Sequence, residues 1–236
     1  MPDITIPAIT LGASWEPEDP EVESIMQIFH DALEKLPEHN EEAFFRADRI
    51  YEKLSEARSS YALIRSEGFT QRSLDDQRAA YNSMYACLWS AYKDRLTKLL
   101  QAIGYEAGFM FTGNDFEQQA EAFKNRYPEL EWLVEHIRLQ KRNWQDSLRD
   151  NRNPQQHDGD LRNTNTEDLD NPPKAANMFA RVCNAIEGIG VSAISYKLPV
   201  FWNIVPLNNG ATVFSRTPRF EIKHSIQLAQ NGDTAS

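Results

Sequence analysis

The segment Arg152-Asn153-Pro154-Gln155-Gln156-His157 places an arginine and a histidine close together at the end of a strongly periodic helical stretch. A guanidinium offers planar donors to the non-bridging oxygens of a phosphate, and an imidazole exchanges protons near neutral pH. Together they can hold a phosphodiester and move its proton, from a ribose 2′-hydroxyl or to a leaving 5′-oxygen, without a metal. Such a route yields a 2′,3′-cyclic phosphate and needs RNA, because DNA has no attacking hydroxyl.

One imidazole does not readily serve as base and acid in the same step. A second copy of the chain across a two-fold axis would supply the other imidazole and a second Arg152, which predicts a homodimer. Within the set, Arg152 and His157 are the candidate catalytic pair, with Asn153 orienting the phosphate or the ring. Arg149, Gln156 and Asp158 are the candidate substrate contacts. Asp150 and Asp158 can pair with Arg152 and His157, raising the imidazole pKa or quenching the positive site. The same residues also read more simply, as a surface salt bridge at Arg152, a turn at Asn153-Pro154 and a loop histidine.

Composition narrows the partners. The 236 residues carry a net charge of −10, unevenly spread: residues 1–60 hold 14 Asp/Glu against 5 Lys/Arg, whereas 141–181 hold 7 of each. So acidic a chain repels a long polyanion except at a local basic site, which argues against duplex DNA but allows one or two phosphates or single-stranded RNA. Cys87 and Cys183 sit in apolar helical contexts with no C-x-x-C pair, so both read as buried thiols, suited to a reducing cytoplasm. No secretory leader and no apolar stretch of membrane-spanning length is apparent. H-E-x-x-H and Cys/His clusters, glycine-rich nucleotide loops and G-x-S-x-G are all missing, so no cofactor and no metal site is expected. His136, on a long helix, reads as a surface residue. His30 and His39, flanking the end of the first helix, read as structural.

The elements that must position the arginine and histidine are mostly helical. A first helix is expected from Pro20 to Leu36, capped by Asp19 and stopped by Pro37, with Ile25, Ile28, Phe29 and Leu33 on one stripe. A second starts near Asn40 with Glu41 and Glu42 in its first turn and ends before Gly68. Residues 74–103 repeat apolar side chains at three- and four-residue spacing for about 45 Å. An apolar turn follows at 104–113, then a short helix over 115–126 and a long one over 128–148, ending near Arg149. Residues 149–173 are polar and rich in Asn, Asp and Pro, a loop or a lid. A last helix is expected from Lys174 to Gly188 or Ser192. Trp89, Tyr92, Trp132 and Trp144 read as core or, on one face, as a dimer interface.

The sum is a mainly α fold, an antiparallel bundle of four to five long helices with a small C-terminal β-hairpin or three-stranded sheet. It makes one domain over 1–228, with a helical core at 20–192, a β appendage at 198–227 around Asn208-Asn209-Gly210, and a disordered tail at 229–236.

This arrangement resembles the HEPN superfamily (higher eukaryotes and prokaryotes nucleotide-binding domains), helical bundles whose signature is an arginine, a polar residue and a histidine a few positions on. Arg152, Asn153 and His157 carry the resemblance, which extends over residues 70–190. It implies a metal-independent endoribonuclease, dimeric with both motifs at the interface, in toxin–antitoxin, phage-defence or RNA-processing roles. The alternative is a non-catalytic relative of the same fold, a scaffold for a protein partner or a nucleotide binder. Pro154-Gln155-Gln156 departs from the family in lacking an apolar anchor, and the polar 160–173 segment is an insert.

Overall fold

In the computed structural model of the chain, the residues described are 22–152, 172–197, 200–206 and 212–218, with side chains for 22–149 and 174–197. The protein is a mainly α helical bundle. Helix α1 (Val22–Leu33) buries Val22, Ile25, Ile28, Phe29, Ala32 and Leu33, the expected stripe. It stops three residues short of the expected Leu36, the chain turning before Pro37 is reached.

Helix α2 (Glu41–Arg65) begins where its capping residue dictates. Asn40 Oδ1 accepts from the Ala43 amide at 3.0 Å, while Asn40 Nδ2 donates to the carbonyl of Ala102 at 2.9 Å. One side chain therefore closes the start of α2 and satisfies a carbonyl at the end of another helix. Asn40→Ala is expected to cost about 2 kcal/mol, roughly half from the cap and half from the carbonyl left without its donor. Asn40→Asp keeps the cap but not the donor, and should fall between the two in urea melts. Equal stability of the Asp variant and the parent would mean that the second bond contributes nothing.

The 74–103 stretch forms α3 (Leu74–Trp89) and α4 (Leu96–Ala102), joined without a break through a π-turn at Ser90–Arg95. Ser73 caps it by accepting from the Asp76 amide at 3.1 Å. Gly104, at φ 91°, ends it: the Gly104 amide donates to Gln101 and the Tyr105 amide to Leu100, at 2.9 and 2.8 Å, a turn that requires a left-handed residue. The apolar turn expected after it is a 3₁₀ segment, Ala107–Phe111, with Phe109 and Met110 buried. Helix α5 (Phe116–Arg126) follows.

The next long helix is α6 (Glu131–Gln140) and α7 (Asp146–Arg152), fused by a second π-turn at Lys141–Gln145. It runs past the expected end at Arg149 because Leu148 is fully buried and carries the last turn against α3. Helix α8 (Pro172–Lys197) likewise continues through Gly188 and past Ser192. Gly190 is buried there, and a β-carbon on it would lie 2.5 Å from the Phe29 ring, so close packing on α1 outweighs the poor helix propensity of glycine. Helix α8 packs on α1, α2 and α4, with Phe179 stacked on Tyr61 at 5.4 Å. Val200–Pro206 (β1) and Thr212–Pro218 (β2) are antiparallel partners. Asp19, Pro20, the Asn208-Gly210 turn, the third-strand candidate and residues 229–236 lie outside the described residues.

Candidate functional site

Arg152 is the last residue of α7, and Arg149 stands one turn before it. Their helix is positioned by Trp144 and Leu148, both buried, with α3 on its inner side. Arg149 pairs with Asp146 at 3.1 Å, both side chains about half exposed. A pair of this kind contributes at most about 1 kcal/mol, so a phosphate can compete for the guanidinium. Residues 141–152 place Lys141, Arg142, Arg149 and Arg152 against Asp146 and Asp150, a net positive stretch on an acidic chain. Asn153, Gln156, His157 and Asp158 fall outside the described residues, as does the side chain of Arg152.

Behind the arm lies a set of polar contacts that the sequence did not announce. The two π-turns meet, and Tyr92 of the first packs its ring 5.1 Å from Trp144 and 5.2 Å from Phe111. The fully buried Tyr92 hydroxyl donates to Gln140 Oε1, and Gln140 Nε2 lies 2.6 Å from His136 Nε2. Burial pushes the Tyr92 phenol pKa up and holds the His136 imidazole below its ordinary value. His136 is thus half-buried rather than on the surface. Gln145 donates to the Met110 carbonyl at 3.0 Å, and Lys141 to that of Thr112 at 3.2 Å, fixing the second π-turn to the 3₁₀ segment. Of the aromatic set, Trp89, Tyr92 and Trp144 are buried and Trp132 is partly so. Contacts across 48 residues leave no local signature, which is why only the aromatic spacing was readable.

Other candidates are structural. His30 meets Asp48 at 3.0 Å and the edge of Phe44 at 5.2 Å. Arg138 gathers Glu117, Glu121 and Glu135, tying α5 to α6 and holding Glu117 below the usual carboxylate range. A cleft of about 430 Å³ between Phe109, Phe123 and Tyr127 is rimmed by Gln101, Gln119 and the Glu106–Arg126 ion pair, and has no histidine, cysteine or serine in its wall. Among the described residues no group of three or more His, Cys, Asp or Glu is placed to hold a metal ion, and no helix is long and apolar enough to cross a membrane.

Cys183 is buried as expected, but Cys87 is only partly so and donates to Glu56 Oε2 at 3.3 Å. Burial first, and the Glu56 carboxylate second, push the Cys87 thiol up to about 11. At pH 8 it should alkylate roughly a hundredfold more slowly than an ordinary thiol. Glu56→Gln should speed the reaction, as read by mass spectrometry with iodoacetamide; an unchanged rate would assign the whole shift to burial.

No protein-family model matches the chain, and the searches of curated proteins and of solved structures return no significant match.

Proposed function

We propose that this chain is a HEPN-like helical protein that binds RNA phosphodiesters through Arg152 and His157 and cleaves them without a metal, using paired sites at a homodimer interface. The observation that carries the reading is the helical arm ending at Arg152. Its inner face is anchored on α3, and Arg149, half-exposed and paired with Asp146, stands one turn earlier. A phosphate can be met there by two guanidiniums from one helix. Helix dipoles do not assist, since the arm presents its C-terminal end, so the attraction rests on the side-chain charges. Asn153 would orient the phosphate or the ring, and Gln156 and Asp158 would border the substrate. The β1–β2 hairpin is an appendage of the same domain.

The test is purified protein with a single-stranded RNA in EDTA. Cleavage leaving 2′,3′-cyclic phosphate ends supports the reading. No cleavage and no RNA binding overturns it, and RNA binding alone places the chain with the non-catalytic relatives.

A further inference from the structure

We propose that Tyr92, Gln140 and His136 form a pH-sensitive latch that holds the α6–α7 arm against the α3–α4 helix. The inference does not depend on what the arm binds.

The chain of hydrogen bonds has a direction. Tyr92 can only donate to the Gln140 oxygen, so the amide nitrogen of Gln140 is turned toward His136 Nε2. That nitrogen must accept, which requires a neutral imidazole with its proton on Nδ1. A proton added at Nε2 would set two donors face to face at 2.6 Å. Rotating the amide relieves that clash only by turning its NH2 group onto the Tyr92 hydroxyl, whose own proton then needs another acceptor inside a fully buried site. Swinging the imidazole outward instead breaks the chain at its other end. Either way the link between the two helices is weakened at Gln140: in the first case its bond with Tyr92 is reversed and a buried hydroxyl proton is left over, in the second Gln140 loses the partner that orients its amide oxygen toward Tyr92. Gln140 is the first residue before the second π-turn, and the π-turn is what leads into α7.

The surroundings favour the neutral ring at rest. From the elements packed nearby, Glu117 and Glu121 of α5 are engaged by Arg138, Lys141 is directed to the Thr112 carbonyl and the Phe116 ring, and Tyr92 is kept protonated by burial. The lowered His136 pKa has burial as its cause, with no carboxylate opposing it. The sign follows. A histidine whose folded pKa lies below its unfolded value contributes stability that is complete above the unfolded value and is lost as pH falls toward the folded one. The latch is closed at neutral pH and weakens on acidification.

The experiment is nitrogen-15 imidazole NMR together with amide hydrogen exchange over residues 141–149, corrected for the intrinsic pH dependence of exchange, on the full chain and on His136→Gln. Glutamine keeps an acceptor for Gln140 but does not titrate. The expected result is an Nδ1–H tautomer at pH 7.5. On acidification, arm protection should fall by about tenfold, the scale of one or two lost hydrogen bonds, at the His136 titration midpoint. In His136→Gln that fall should vanish. An Nε2–H tautomer at neutral pH, or the same loss of protection in His136→Gln, would overturn the latch. RNA cleavage assays leave it untouched, so its failure and that of the nuclease reading are separable.

Discussion

Gly190→Ala is expected to lower the unfolding free energy by about 2 kcal/mol, even though alanine is the better helix former. The added methyl carbon would lie 2.5 and 2.7 Å from two carbons of the Phe29 ring, distances that require something to move. Phe29 is fully buried on α1 and has no solvent side to retreat to. Overpacking of this kind costs about 1–3 kcal/mol, here taken near the upper end, and the propensity gain of about 1 kcal/mol offsets only part of it. Thermal unfolding should show the midpoint down by roughly 4–8 °C for a chain of this size. The diagnostic is a change of sign. In a Phe29→Leu background the offending ring atoms are gone, so Gly190→Ala should be neutral or slightly stabilising there. If Gly190→Ala stabilises the parent protein, the close approach of α1 and α8 is wrong.

That glycine also shows what the sequence could and could not reveal. Gly188 looks like a helix stop, because the cost of glycine in a helix is local and visible, whereas the ring that Gly190 accommodates is some 160 residues away in the chain. Asn40, followed by Glu41 and Glu42, marked the start of α2 correctly because capping is a relation between neighbours. Its second bond, to Ala102, is not such a relation and was invisible. The long apolar run over 74–103 was legible as one helix, and so was the 128–148 run. Their π-turns were not, since a turn with one extra residue shifts the apolar face without breaking its rhythm.

The candidate site divides along the same line. Arg152 and His157 stood out by type and spacing, while the Tyr92–Gln140–His136 chain was assembled only by packing. Of the proposed catalytic set, the structure describes the helix that delivers Arg152 and the pairing of Arg149. Asn153, Gln156, His157 and Asp158 remain readings of residue chemistry. What the structure adds is mechanical: the arginines are carried on an arm whose inner side is fixed by Trp144, Leu148, Gln145 and Lys141. Arg149, half-exposed on that arm, can therefore be changed without touching the core.

A variant series tests the motif directly. His157→Ala and Arg152→Ala are each expected to reduce RNA cleavage in EDTA by about 10²–10⁴, the usual contribution of a positioned acid–base group or of its electrostatic counterpart. Melting temperatures should stay close to the parent's. Arg152→Lys keeps the charge but loses the planar fork that grips two phosphate oxygens, so it should fall between parent and Arg152→Ala. Arg149→Ala should act differently, raising KM more than it lowers kcat, because a guanidinium one turn back can attract substrate without meeting the reacting atoms. Substrate chemistry supplies the strictest check. An RNA carrying a single 2′-deoxy nucleotide at the cleaved position should bind but resist cutting, because the attacking hydroxyl is gone while every phosphate remains. Cutting at the deoxy position, or parent-like activity in both alanine variants, would remove Arg152 and His157 from the chemistry. The helical arm would then be a structural element that happens to end in an arginine.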